Sequence, residues 1–317
     1  MRIVFMGSPA FAVPSLERLL AEGHEVALVV TQPDRPAGRG QSVTSPPVKL
    51  AAARRGLPLL QPHRLGDPAV LSSLQAAAAD LIVVVAFGQF LPQAVRELAP
   101  KGAVNVHASL LPKYRGAATI SWAIIRGETE TGVTIMRVAA VMDAGPFLLQ
   151  RSCPILAEEA ADSLHDRLAP LGAAALADAL TLVARGEDDW QPQDEARATF
   201  APKIGDRDCR LNLAESPFAL VNRVRGLSPV PGAYLPGANG HRLKVLRAAA
   251  AMGAGPAGII LRLEGSGLVI GTEGSGVAER PAAGALALLE VQPEGKRRMT
   301  GAEYARGKRL AEGMPCI

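Results

Sequence analysis

Asp80-Leu81-Ile82-Val83-Val84-Val85-Ala86-Phe87-Gly88 holds five successive branched aliphatic residues and stops at a glycine. A strand with one wet face alternates apolar and polar side chains. This run does not alternate, so both its faces must be covered, as in a parallel sheet between two layers of helices. Similar runs flank it. Arg2 to Gly7 is a short apolar run ending in glycine, and Phe11 to Glu22 then places apolar residues at helical spacing. Val26 to Thr31 is a second strand, Pro58 to Gln61 a weaker one, and Ala103 to His107 another. Strands separated by helical patterns predict an α/β domain with a doubly wound, mostly parallel sheet. Its ligands belong outside the carboxyl ends of the strands.

Thr131 to Val138 alternates and predicts a further strand, continued by Phe147 to Gln150 after a turn at Asp143-Ala144-Gly145-Pro146. A helix is predicted over Ser163 to Arg185. From Gly186 to Lys203 periodicity is lost and Asp, Gln, Pro and Glu accumulate, which reads as a connection. Beyond it lie a helical stretch, Ser216 to Arg225, and short apolar runs at Leu243 to Leu246, Gly258 to Leu263, Leu268 to Gly271 and Leu286 to Val291, separated by glycine-rich turns. That pattern predicts a small β-barrel. The expected organisation is a domain at 1–188, a linker at 189–206 and a second domain at 207–317.

The 317 residues are 48% hydrophobic and 20% charged, ordinary for a globular protein. No run approaches the roughly 18 uncharged apolar residues of a membrane span, and the first residues enter a strand without a signal-peptide layout. No membrane partner and a cytoplasmic location are expected. Cys153, Cys209 and Cys316 are odd in number and far apart, which favours neither a disulfide framework nor a metal site. Charge is divided unevenly. Residues 1–204 carry 19 Lys+Arg against 20 Asp+Glu, net −1, whereas residues 205–317 carry 15 against 10, net +5. The basic excess of the last third suits a polyanion such as nucleic acid.

The stretch richest in chemistry is Asn105-Val106-His107-Ala108-Ser109-Leu110-Leu111-Pro112-Lys113-Tyr114-Arg115-Gly116-Ala117-Ala118. Asn105 and His107, two apart at the end of a strand, share one face at the edge where α/β sites form. An amide and an imidazole are donors suited to an oxyanion in acyl transfer. Asp143 would fix the tautomer of His107 and assist proton removal. Singly, these read as well as turn or core residues; their combination points to chemistry. Gly7-Ser8-Pro9 lacks the Gly-x-Gly-x-x-Gly spacing, so a nicotinamide cofactor is not supported.

With those residues in place, the chain resembles the folate-dependent formyltransferases, whose catalytic asparagine, histidine and aspartate match Asn105, His107 and Asp143. Their Ser-Leu-Leu-Pro segment, which lines the tetrahydrofolate site, matches Ser109, Leu110, Leu111 and Pro112. Gly7 to Ala12, Thr31 to Gly40 and Leu289 to Met299 match the branch that formylates initiator methionyl-tRNA. The resemblance implies a Rossmann-like catalytic domain, an OB-like barrel, 10-formyltetrahydrofolate as donor, no metal, and a monomer acting on methionyl-tRNA to serve translation initiation. Arg35, Arg39, Lys203, Arg223, Lys296 and Arg297 are then the expected tRNA contacts. The same triad would serve a small amine acceptor, or survive in a non-enzymatic RNA-binding protein; the basic third favours tRNA over the first, and the intact triad speaks against the second. The chain departs from the pattern at Thr119, usually proline, at Asn212-Leu213, commonly Asp-Trp, and at Val230, often tryptophan.

Overall fold

The computed structural model describes residues 1–37, 42–237, 240–274 and 284–317. Internal contacts divide the chain into two units. One contains Met1–Ala117, Glu130–Pro154 and His165–Ala201; the other contains Ala118–Thr129, Ile155–Leu164 and Pro202–Ile317.

The first unit is built on a seven-stranded sheet. Its order is Phe147–Pro154, Glu130–Arg137, Ala103–His107, Leu81–Val85, Arg2–Gly7, Glu25–Val30, Leu59–Leu60. The last five are parallel. Glu130–Arg137 and Phe147–Pro154 run antiparallel, which makes the sheet mostly rather than wholly parallel. All of Leu81–Val85 is buried, as an unalternating run requires. On one face Val4, Met6, Ile82, Val84 and Ala103 pack with Val70 and Leu74 of the helix Pro68–Ala76. On the other, the helix Ala161–Arg185 approaches closely: a Cβ at Gly172 would lie 2.8 Å from Val106. That helix is long and apolar enough to cross a membrane by length and composition, and 56% of its most apolar window is buried inside the protein.

The aperiodic stretch expected to be a linker makes specific bonds within the first unit. Phe147 and Gln191 exchange backbone hydrogen bonds, the Arg115 N–H donates to the Thr199 carbonyl, and Phe200–Ala201 pairs in parallel with Arg115–Gly116. Such pairing is set by partners distant in sequence and leaves no local periodicity to read.

The second unit holds an antiparallel sheet in the order Ala233–Pro236, Arg242–Ala251, Ala285–Pro293, Gly267–Gly271, Ile260–Glu264, with Met299–Thr300 added on Ala285–Pro293. The described pairings run as a path along these strands. Ser216 caps the helix Pro217–Leu227 by accepting the Ala219 N–H, and Pro217 is favourable at its first turn. Leu220, Val224 and Leu227 of this helix join Val245, Leu268, Ile270, Leu286 and Leu288 in the core. The helix Thr119–Ile125 belongs to this unit too, packed so closely that a Cβ at Gly226 would lie 2.7 Å from Ile125. Thr119 is buried at its first position. Asn212 accepts the Ala214 N–H in a local turn, and Val230 is 81% exposed, so the tryptophan often found there leaves no gap in this core.

Candidate active site

Asn105 and His107 lie on the face that Ala103 shares with the apolar core, at the carboxyl end where that core stops. Val104 and Val106, of opposite parity, are buried against the other layer. The strand alternation therefore decides which side chains reach the site. His107 is only 6% exposed, and its Nε2 is 2.9 Å from the Tyr114 carbonyl. A carbonyl oxygen can only accept, so Nε2 carries the hydrogen and donates it. Nδ1 then faces Asp143, whose Oδ1 is 3.7 Å away, an electrostatic contact too long for a hydrogen bond. Asp143 Oδ2 accepts the Gly116 N–H at 2.8 Å. No described residue hydrogen-bonds the half-buried side-chain amide of Asn105.

Ser109 to Pro112 build the loop more than they face it. Ser109 is fully buried, with its hydroxyl donating to the Lys113 carbonyl at 2.7 Å. Thr134 is the hub beneath: its hydroxyl donates to the Ser109 carbonyl at 2.6 Å and accepts the Leu111 N–H at 3.1 Å. Gln150 donates to the Leu111 carbonyl at 2.8 Å and to Thr134 Oγ1 at 3.0 Å. Leu111 is buried, and Leu110 and Pro112 are partly exposed. Of the four expected folate contacts, the side chains of Ser109 and Leu111 are thus turned into the protein, because the loop's own polar groups must be satisfied.

Around the same edge, Ser8 accepts from the Gln32 N–H at 3.0 Å, and Gln32 Nε2 donates to the Phe87 carbonyl at 3.1 Å. These bonds tie the loops after Arg2–Gly7, Glu25–Val30 and Leu81–Val85. Arg96 donates to the Ala139 carbonyl at 2.9 Å while its guanidinium lies 5.8 Å from the centre of the Phe90 ring. Phe90, after Leu81–Val85, and Val141 and Met142, between Glu130–Arg137 and Phe147–Pro154, are exposed apolar side chains.

Three participants carried no usable sequence signal. Tyr114, at φ +63°, supplies the carbonyl that orients His107. Arg115, 4% exposed, binds both carboxylate oxygens of Glu195 at 2.7 and 2.8 Å and the Gln193 carbonyl oxygen at 2.8 and 3.1 Å. The Glu195 bonds push the Arg115 guanidinium pKa up, and Arg115 holds the Glu195 carboxyl below its ordinary range. Gln193 Nε2 donates to the carbonyls of Asp143 and Gly145 at 2.8 and 2.7 Å.

Of the expected tRNA contacts, Arg35 is exposed with its guanidinium on Gln32, and Lys203, Lys296 and Arg297 are exposed. Arg39 lies outside the described residues. Arg223 is turned inward: its side chain is 18% exposed, pairs with Glu215 at 3.2 Å and donates to the Asp208 carbonyl, so it is not a free surface cation. Lys49, in the helix Pro47–Arg54, is held by Asp34 at 2.5 Å.

The formyl transferase family pattern matches residues 1–180, and the pattern of the formyl transferase C-terminal domain matches residues 203–309. Among curated relatives, the methionyl-tRNA formyltransferase of Geotalea uraniireducens is 44% identical over 313 residues, covering 99% of this chain and 97% of its own. That of Solibacter usitatus is 47% identical over 314 residues, covering 98% and 97%. Among solved structures, HypX from Aquifex aeolicus in complex with tetrahydrofolic acid shares the fold at a TM-score of 0.64 and 19% identity, over 96% of this chain and 47% of that one. The sugar 3N-formyl transferase WlaRD shares it at 0.66 and 18%, over 94% and 99%.

Proposed function

The chain belongs to the formyl transferase family, and we propose that it transfers the formyl group of 10-formyltetrahydrofolate to the free amino group of initiator methionyl-tRNA, yielding formylmethionyl-tRNA for translation initiation. The observation that carries this reading is the Asn105 amide, hydrogen-bonded by no described residue, beside a histidine whose Nε2 is already committed to a carbonyl. Such a set fits an acyl donor, because it leaves an amide NH2 group and one open ring nitrogen at a strand edge. Exposed Phe90, Val141 and Met142 offer the apolar contact that a folate's aromatic rings need.

The donor supplies a formyl carbon bonded to an amide-like nitrogen. The methionyl amine attacks that carbon, the carbon–nitrogen bond to the folate breaks, and the folate nitrogen ends with a proton while the amine loses one. Asn105 donates to the formyl oxygen as charge develops there, a contribution typically worth about 3–4 kcal/mol. His107, with its hydrogen on Nε2, receives the amine's proton at Nδ1, directly or through water. Asp143 lies where it stabilises the resulting imidazolium. The reading from sequence gave His107 a donor's part; commitment of Nε2 to Tyr114 favours the acceptor's part at Nδ1.

Residues 1–188 carry the chemistry in this reading, and residues 207–317 bring the basic excess to the tRNA backbone, with Lys296 and Arg297 among their exposed cations, Lys203 on the stretch before them and Arg35 on the catalytic part. The protein acts as a cytoplasmic monomer. The test is direct: incubate it with labelled formyl-folate and either methionyl-tRNA or small amines. Label on methionyl-tRNA alone supports the reading, and label on the small amines alone overturns it.

A further inference from the structure

The geometry points to Gln193 as a positioning residue for Asp143, acting from the stretch that joins the two family-matched regions. This rests on the proposed role of Asp143. Asp143 has φ +53°, a left-handed conformation uncommon outside glycine, which aspartate tolerates better than most residues. Two features hold it here. The Gly116 N–H fixes the carboxylate through Oδ2, and the Gln193 amide holds the backbone on both sides of Ala144 by donating to the carbonyls of residues 143 and 145. One amide group has two hydrogens, and both are used on this turn.

Gln193 is itself fixed. Its oxygen accepts from Nε and Nη2 of Arg115, and Arg115 is locked by the two-toothed pair with Glu195. Further along, the Thr199 hydroxyl accepts the Tyr114 N–H at 2.9 Å, and Phe200–Ala201 pairs with Arg115–Gly116. Residues 191–201 therefore hold both partners of His107: the Tyr114 carbonyl on Nε2 through its own peptide, and Asp143 opposite Nδ1 through Gln193. None of these residues needs to touch a substrate. Without the Gln193 donors the turn relaxes toward ordinary φ, and Oδ1 moves away from Nδ1.

The test compares the intact wild-type protein with Gln193→Met, which keeps length and shape but has no amide, in steady-state formylation of methionyl-tRNA. Displacing a catalytic group by about 1 Å lowers turnover by up to about a hundredfold, so kcat should fall by about tenfold to a hundredfold. KM for formyl-folate and for methionyl-tRNA should stay within about twofold, and melting temperature within a few degrees. Gln193→Glu retains the acceptor for Arg115 but loses the donors, and should behave like Gln193→Met. The deciding readout is a double-mutant cycle: in an Asp143→Asn background Gln193→Met should add little further loss, whereas an unrelated structural effect would multiply. Unchanged kcat, a loss carried by KM, or full multiplication in the cycle overturns the inference. If the wild-type protein itself formylates no methionyl-tRNA, it is the functional reading that fails.

Discussion

Asp143 stands between two demands, a backbone at φ +53° and a carboxylate shared by Gly116 on one oxygen and His107 on the other. Replacing it by asparagine keeps an oxygen for the Gly116 N–H, so the turn survives and only the charge opposite Nδ1 is lost. Asp143→Asn is expected to lower kcat by a factor on the order of 10²–10⁴, as loss of a positioned acid–base group does. KM for formyl-folate and melting temperature should hardly move, and near wild-type turnover would remove Asp143 from the chemistry. At this scale the sequence was informative about placement where strand parity decides it, as for Asn105 and His107. Ser109 shows the limit: its place beside the motif suggested a ligand contact, while its hydroxyl answers a carbonyl four residues away.

Two of the turns at the strand ends, at residues 114–117 and 143–145, are held by the segment 191–201. Gly116 has φ +126°, and a Cβ there would lie 2.5 Å from the Ala201 carbonyl oxygen, so Gly116→Ala cannot keep Phe200–Ala201 in register. Strain of this kind costs about 1–3 kcal/mol, and the substitution should lower both melting temperature and kcat; calorimetry and a formylation assay would show whether they fall together. The same segment should respond to acid. Arg115 holds the Glu195 carboxyl below its ordinary value of 4.5, so the pair stabilises the fold above that value and loses its contribution as pH falls through the lowered one. The melting temperature of Glu195→Gln should therefore lie below wild type at neutral pH and converge with it in strong acid; a constant gap at every pH would deny the pairing a role. Elements with regular periodicity, such as Leu81–Val85 and Ala103–His107, were legible with nearly their observed bounds. The end of the strand Arg242–Ala251 was not, because Ala248 to Ala251 have little strand preference of their own and are extended by pairing with Ala285–Leu288.

Across the whole molecule, the two kinds of basic residue in the C-terminal third should separate in solution. Phosphate contacts release counterions, so tRNA affinity should fall steeply with salt while formyl-folate affinity changes little. Arg297→Ala should weaken tRNA binding and reduce the salt slope by about one. Arg223→Ala should leave that slope unchanged and lower the melting temperature instead, because it strands Glu215; titrations at several salt concentrations, paired with thermal melts, test both, and equal slopes for wild type and Arg297→Ala would remove Arg297 from the tRNA surface. By itself the sequence determined the α/β class, the centres of four strands of the C-terminal sheet, the family, and the place of Asn105 and His107 at a strand's carboxyl end, because each is written in local periodicity or in a contiguous motif. Only the tertiary structure decided that the helix Thr119–Ile125 packs with the C-terminal core, that Arg223 is turned inward, and that residues 191–201 hold the Asp143 turn. Those outcomes depend on partners tens of residues apart, whose hydrogen-bond groups must be satisfied once the chain is compact, and no local pattern records which partner will satisfy them.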